Sequence, residues 1–124
     1  MTEVQNKKIY DLEERTYQFA KDVRLFVKSL PKNQSNFEDI KQLIRSSGSV
    51  GANYIEANES FSKKDFVMRV KISRKEAKES RYWLNLIEIS SSQQDLECKR
   101  LIKEVTELMM IFGSIIRKQE KVGL

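Results

Sequence analysis

One proline and four glycines in 124 residues leave this chain very little with which to make tight turns. Hairpin-rich and sandwich folds spend such residues at every connection, so a chain this poor in them has to be a few long elements with few joints. The single proline, Pro31, marks the first joint, because the residue before a proline is pushed out of the α region and Leu30 therefore ends a helix. Before it, Leu12, Phe19, Val23, Phe26 and Leu30 recur at the spacing of one helix face.

The remaining chain divides in the same way. Lys32 to Ser35 reads as a polar turn, and a second helix starts at Ser35 or Asn36, either a good N-cap, with Glu38 and Asp39 in its first turn. Its expected face is Phe37, Ile40, Leu43 or Ile44, Ser47, Val50 and Tyr54. Ser46-Ser47-Gly48-Ser49 and Gly51-Ala52 are small or poor helix formers, so a loop that splits this helix is the alternative. The period that continues through Val50, Tyr54 and Ile55 favours one helix, with small residues admitting a close neighbour. Asn58 to Phe61 makes the next connection, and Ser62-Lys63-Lys64-Asp65 fits a capping box. A third helix then carries Phe66, Val70, Ser73, Ala77, Ser80, Leu84 and Ile87 at alternating steps of four and three, the seam of a nearly parallel packing. Ser90 to Gln94 is the third turn. The fourth helix presents Leu101, Val105, Leu108, Phe112 and Ile115, flanked by Ile102, Met109 and Ile116. The expected helices, 8–30, 36–58, 63–90 and 95–118, are joined by short turns. The predicted fold is one all-α domain over 1–124, an antiparallel up-down-up-down four-helix bundle.

Composition removes most catalytic chemistry. With no histidine and one cysteine there is no Ser-His-Asp or Cys-His pair, no zinc cluster and no disulfide framework. Glu56/Glu59 and Glu76/Glu79 are each spaced to share a helix face, but a di-iron bundle site takes a Glu-x-x-His from two helices, so no metal or other cofactor is expected. Ser46 to Gly51 lacks the Gly-Lys-Ser/Thr ending of a phosphate loop and a strand before it. Cys98 shares a face with Ile102, Val105 and Met109 and is read as a buried apolar residue, not a nucleophile. No apolar run nears the ~20 residues that cross a bilayer, and Met1 to Lys8 lacks an apolar signal core, which predicts a cytoplasmic protein without a membrane partner. Arg45, Asn53, Glu56, Glu76 and Glu79 fall near or beside core faces, where charges require partners. They are read as structural: an Arg45–Glu ion pair, its glutamate unspecified, bridged by Asn53.

Charge is concentrated in one place. From Lys63 to Arg81 eight basic residues face three acids, so this stretch carries the whole formal net charge of +5. At ~100° per residue, Lys64, Lys71, Arg74, Lys75, Lys78 and Arg81 fall in one sector away from the core. Six cations along about 25 Å of helix have the shape of a strip that tracks a phosphate backbone, with a solvated, solubilising face as the alternative. Only Tyr82 in that sector could stack on a base, so backbone recognition is expected over sequence readout. On the other flank Met68, Ile72, Trp83 and Leu86 form a second apolar stripe, interleaved with Glu76 and Glu79. Surplus apolar surface rimmed by charge marks a protein contact, here self-association; a wide core face reaching Trp83 is the alternative.

The motifs resemble those of a known family. Phe19-Ala20 with Val23 and then Leu30-Pro31 is similar to the opening of the small four-helix-bundle proteins encoded in 23S rRNA intervening sequences. Gln42-Leu43-Ile44-Arg45-Ser46, Ser49-Val50-Gly51-Ala52-Asn53 and Glu56-Ala57 resemble that family's second-helix signature, with Val50 where Ile is usual. Asp65-Phe66, Ser73, Glu76, Glu79, Tyr82-Trp83-Leu84 and Leu86 resemble its third-helix segment. Asn58 stands where a Gly is common, and Asn tolerates the same helix-ending conformation. The resemblance implies a four-helix bundle, often a homopentameric ring. Relatives include the accessory variability determinants of diversity-generating retroelements, basic pentamers that bind a reverse transcriptase and nucleic acid.

Together these readings predict a non-enzymatic, self-associating bundle that binds RNA or DNA through backbone phosphates, possible as an accessory factor of a nucleic-acid enzyme. The other reading is a scaffold whose partner is another protein, such as a polymerase, with the basic face merely solvated. If six phosphates were engaged, affinity would fall with salt at a log-log slope of roughly −4 to −5.

Overall fold

The computed structural model describes residues 11–122, and these form four helices with no strand. They are α1 (Leu12–Val27), α2 (Gln34–Asn58), α3 (Lys63–Leu86) and α4 (Ser92–Val122). Each helix packs on its chain neighbours, and α1 packs on α4, which closes a four-membered ring whose diagonally opposed backbones do not approach each other. Side-chain pairs give the directions. Arg15 reaches Glu104 while Asp22 reaches Arg100, Ser73 reaches Val50 while Ser80 reaches Ser46, and Leu84 meets Cys98 while Arg81 meets Thr106. In every pair one number rises as the other falls, so adjacent helices are antiparallel and the bundle runs up, down, up, down.

The core follows the helical periods read from the sequence. Phe19, Val23, Leu43, Val50, Val70, Ala77, Leu84, Leu101, Val105, Leu108 and Phe112 are all buried in it. The small-residue stretch of α2 is unbroken helix, as its period predicts. Ser46, Ser47, Ser73 and Ser80 are buried at the α2–α3 seam. The Ser80 hydroxyl donates to Ser46 Oγ at 2.8 Å, and the Ser73 hydroxyl donates to the Val50 carbonyl at 2.9 Å. Hydroxyls this short satisfy themselves only when two backbones lie close, so the serines fix the α2–α3 spacing. Gly51 does the same toward α1: a Cβ there would stand 2.8 Å from Thr16 Oγ1. Among the described residues no buried side-chain polar atom lacks a hydrogen-bond partner.

Helix boundaries differ from the sequence reading, each for a local reason. The expected start of the first helix at 8 lies outside the described residues. Its end is Val27 and not residue 30, because Ser29 and Leu30 donate to the carbonyls of Phe26 and Val27, tighter bonds that keep Leu30 in the core. The cap of α2 is Asn33, whose side chain accepts from the Asn36 amide at 2.9 Å, and not Ser35 or Asn36. Phe37, expected in the core, is 64% exposed, since the inward face of α2 runs through Asn36, Leu43, Ser47 and Val50 and Phe37 lies off it. Asn36 also ends α3 at Leu86 instead of 90. Its amide accepts from Glu88 N–H at 2.9 Å and donates to Glu88 C=O at 3.1 Å, so residue 88 is bonded as if to a strand. Ile87 is already extended but still buried. Ser62 caps α3, its hydroxyl accepting from Asp65 N–H, but among the described residues the Asp65 carboxylate makes no return bond to the Ser62 amide, so only half of the expected capping box forms. The last helix starts three residues early, at Ser92, since Ser91 caps it by accepting from Gln94 N–H, and it continues to Val122 instead of 118. Ile116 is buried, whereas Ile115 is only half-buried. Among the described residues no helix is long and apolar enough to cross a membrane.

Candidate nucleic-acid interface

One rod, α3, presents three different sides. Its inward side is the seam of Val70, Ser73, Ala77, Ser80 and Leu84. The side turned toward solvent and α4 holds the expected cations. Lys64, Lys75 and Lys78 are exposed and, among the described residues, pair with no carboxylate. Lys71 departs from that expectation, because its ammonium lies 2.9 Å from Glu120 of α4 and is partly neutralised. Arg74 is exposed and Arg81 half-buried; both lean toward α4, where Arg81 donates to Thr106 Oγ1 at 3.3 Å. The six cations therefore do not form one uniform strip. Three are free lysines on the outside, one is paired, and two are arginines at the α3–α4 groove. Arg117 of α4 lines the same groove and was not singled out by the sequence. Its only signal is its place one turn after Gly113, on the face of α4 that also carries Thr106.

The third side runs from α2 round to open solvent. Ile72 and Trp83 are half-buried, whereas Met68 and Leu86 are 50% and 48% exposed, and Met68 lines a groove with Gln119 and Glu120 of α4 instead of facing α2. Trp83 packs against the edge of the core, and its ring meets Tyr82 edge-on at 5.0 Å. The core does widen as far as Trp83, and the apolar surface left open is that of Met68 and Leu86.

Polar side chains lock this flank to α2. Arg45 donates to Glu76 at 3.3 Å, to Glu79, and through Nε to Gln42 at 3.3 Å. One arginine thus takes both glutamates. Trp83 Nε1 donates to Glu79 at 3.3 Å. Burial alone would lift the Glu79 carboxyl, but the hydrogen bonds from Arg45 and Trp83 outweigh it and hold Glu79 below the usual carboxylate range. Asn53 is not the expected bridge to Arg45. It lies farther along α2, donates to the Ser49 carbonyl at 2.9 Å and accepts from Arg69 at 3.3 Å. Glu56, expected to be a structural polar residue beside the core, is exposed and has no ion pair among the described residues. Cys98 is buried; its thiol donates to the Leu84 carbonyl at 3.2 Å, and burial pushes its pKa up. Among the described residues no group of three or more His, Cys, Asp or Glu is placed to hold a metal ion.

The Arg45–Glu79 pair has a checkable pH signature. A carboxyl with a depressed folded-state pKa favours the folded state above its unfolded value near 4.5 and loses that contribution as pH falls through the lower folded value. Between about pH 6 and about pH 3 the wild-type melting temperature should therefore fall more steeply than that of Glu79→Gln. Parallel curves for the two proteins would show that the pair contributes nothing.

Comparison with other proteins agrees with this architecture. A crystal structure of a protein with unknown function from the S23 ribosomal protein family of Bacteroides thetaiotaomicron is 33% identical, with a TM-score of 0.73, over 84% of this chain and 96% of that one. No curated protein matches the chain. The model of the 23S rRNA-intervening sequence proteins matches residues 8–114, most of the four helices just described. The chain belongs to the 23S rRNA-intervening sequence protein family.

Proposed function

We propose that this protein is a non-enzymatic, self-associating helical bundle that binds RNA or DNA by its phosphate backbone, through the cationic side of α3. The observation that carries the reading is that Lys64, Lys75, Lys78 and Arg74 are exposed on one side of a continuous helix and, among the described residues, pair with no carboxylate. Exposed cations without partners are the ones that release counterions when phosphate replaces them. Tyr82 is the exposed aromatic beside them, which suits backbone contact more than base reading. Self-association would use the open Met68 and Leu86 with the edge of Trp83, and a ring of copies, a homopentamer in this proposal, would repeat the cationic side and deepen its field.

With Lys71 held by Glu120, five phosphate contacts are expected instead of six. Oligonucleotide affinity measured from about 50 to about 300 mM salt should then fall with a log-log slope of roughly −3.5 to −4.5. The triple change Lys71→Glu, Lys75→Glu, Lys78→Glu should abolish binding while circular dichroism stays helical, since all three are exposed. A flat salt response, or no binding by the wild type, overturns the reading. A protein partner captured from nuclease-treated extract at moderate salt, without oligonucleotide binding, would favour the scaffold instead. Light scattering that gives a monomer at micromolar concentration would remove the self-association half.

A further inference from the structure

We propose that Arg74 and Arg117 form an oxyanion clasp over Gly113 that takes a phosphate group, with Arg81 on Thr106 marking a second phosphate position in the same groove. The groove runs between α3 and α4, encloses about 540 Å³ and is lined by these three arginines with Thr106, Gly113 and Met110 among others. Gly113 shows how the clasp is built. A Cβ at that position would stand 3.3 Å from Arg117 Nη1 and 3.8 Å from Arg74 Nη1. The two guanidinium ends therefore flank one point and are at most about 7 Å apart. The missing side chain lets Arg117 lie down on the buried backbone at 113 and brings its guanidinium toward that of Arg74, so that both line the groove where a ligand would sit.

Three other arginines are neutralised by acids, and two more, Arg24 and Arg69, are spent on the Ala20 and Ile44 carbonyls and on Asn53; what singles out the groove arginines is that three without an acid line one groove. Arg15 pairs with Glu104 and Glu107, Arg45 with Glu76 and Glu79, and Arg100 with Asp22 and Glu97. Among the described residues Arg74, Arg81 and Arg117 pair with no carboxylate. Two guanidiniums held close without an acid repel each other, and an oxyanion between them turns that repulsion into charge-assisted, bidentate hydrogen bonding. Arg81 is pre-oriented. The Thr106 hydroxyl donates to the Ile102 carbonyl at 2.7 Å, which leaves its oxygen to accept from Arg81. Arg74 and Arg81 are seven residues apart, about 10 Å along the helix, too far to share one phosphate and suited to two on one strand. The strand would thus lie in the α3–α4 groove, with the outer lysines as a flanking field.

The nucleic-acid source of the phosphate rests on the function proposed above; the clasp itself does not. Two probes separate them: inorganic phosphate, followed by the arginine Nε–Hε NMR signals, and a phosphodiester oligonucleotide, followed by affinity. Phosphate should move the Arg74 and Arg117 signals of the wild type and leave Arg74 unmoved in Arg117→Gln. Arg117→Gln should weaken oligonucleotide binding roughly tenfold. Lys118→Gln, the same loss of charge on an exposed neighbour, should weaken it less than about twofold, and Arg117→Lys should fall between. If the oligonucleotide binds but Arg117→Gln behaves like Lys118→Gln, the clasp is wrong and the basic-face reading survives. If phosphate moves both signals while no oligonucleotide binds, the clasp holds a free phosphate and the nucleic-acid reading fails. If neither probe binds, both fall.

Discussion

Asn36→Ala should destabilise this protein by about 3 kcal/mol, although Asn36 is not the cap of its helix. The Asn36 side chain makes three hydrogen bonds from a buried position. It donates to the Pro31 carbonyl at 3.0 Å and to the Glu88 carbonyl at 3.1 Å, and accepts from Glu88 N–H at 2.9 Å. Removing it leaves three partly buried backbone groups unpaired, each costing about 1 kcal/mol at the lower end of the range for such groups. It also loosens the tie between the α1–α2 turn and the α3–α4 turn, leaving Gln94, which donates to the Ser29 carbonyl at 2.7 Å, to hold them. Asn36→Asp tests the donating half of this bridge: aspartate keeps the size and the accepting oxygen but cannot donate to two carbonyls, so it too should cost more than about 2 kcal/mol in urea unfolding. A cost within about 0.5 kcal/mol for Asn36→Asp would show that the bridge is unimportant.

Phe112→Ala should cost about 4 kcal/mol, the upper part of the range for an aromatic removed from a core. Phe112 is 0% exposed, and its ring lies 5.8 Å from that of Tyr54, tilted at 46°. The cavity would open between α2 and α4, which do not otherwise touch through their backbones, so little can collapse into it. Against a total of about 5–15 kcal/mol for a domain of this kind, the melting temperature should drop by more than about 10 °C. Phe37→Ala supplies the contrast. With its ring 64% exposed it should change stability by less than about 0.5 kcal/mol. Equal costs for the two phenylalanines would mean that the core is not arranged as described.

These two residues also show what was legible beforehand. Phe112 could be placed in the core because the period of the fourth helix runs unbroken from Leu101 to Ile116. Phe37 was misplaced because the face of α2 was left open between Leu43 and Ile44: Phe37 lies on the Ile44 side, six residues or about 240° from Leu43, and it is Leu43 that the core takes. Asn36 looked like a cap because asparagine favours that place locally. Its actual partners are Pro31 and Glu88, and Glu88 is 52 positions away, where no local pattern reaches. The start of α4 was within reach: Ser91 and Gln94 have the spacing of a cap, hidden in a run of serines and glutamines. At the candidate site, the directions of Lys64, Lys75 and Lys78 followed from helical geometry alone. That Glu120 takes Lys71, and that Arg117 joins Arg74, depends on the register of α4 against α3. A period fixes which face turns inward but says nothing of how far one helix slides along another.

The ring of helices has one joint unlike the others. Three of its contacts are hairpins between helices adjacent in the chain, whereas the fourth, α1 against α4, joins Arg15 to Glu104 across 89 positions. During synthesis the hairpins can close as they emerge, but that last side has no partner until the final helix leaves the ribosome. Through most of translation the apolar stripe of α1 has only α2 to rest on, and the nascent protein carries an open flank that the finished one does not.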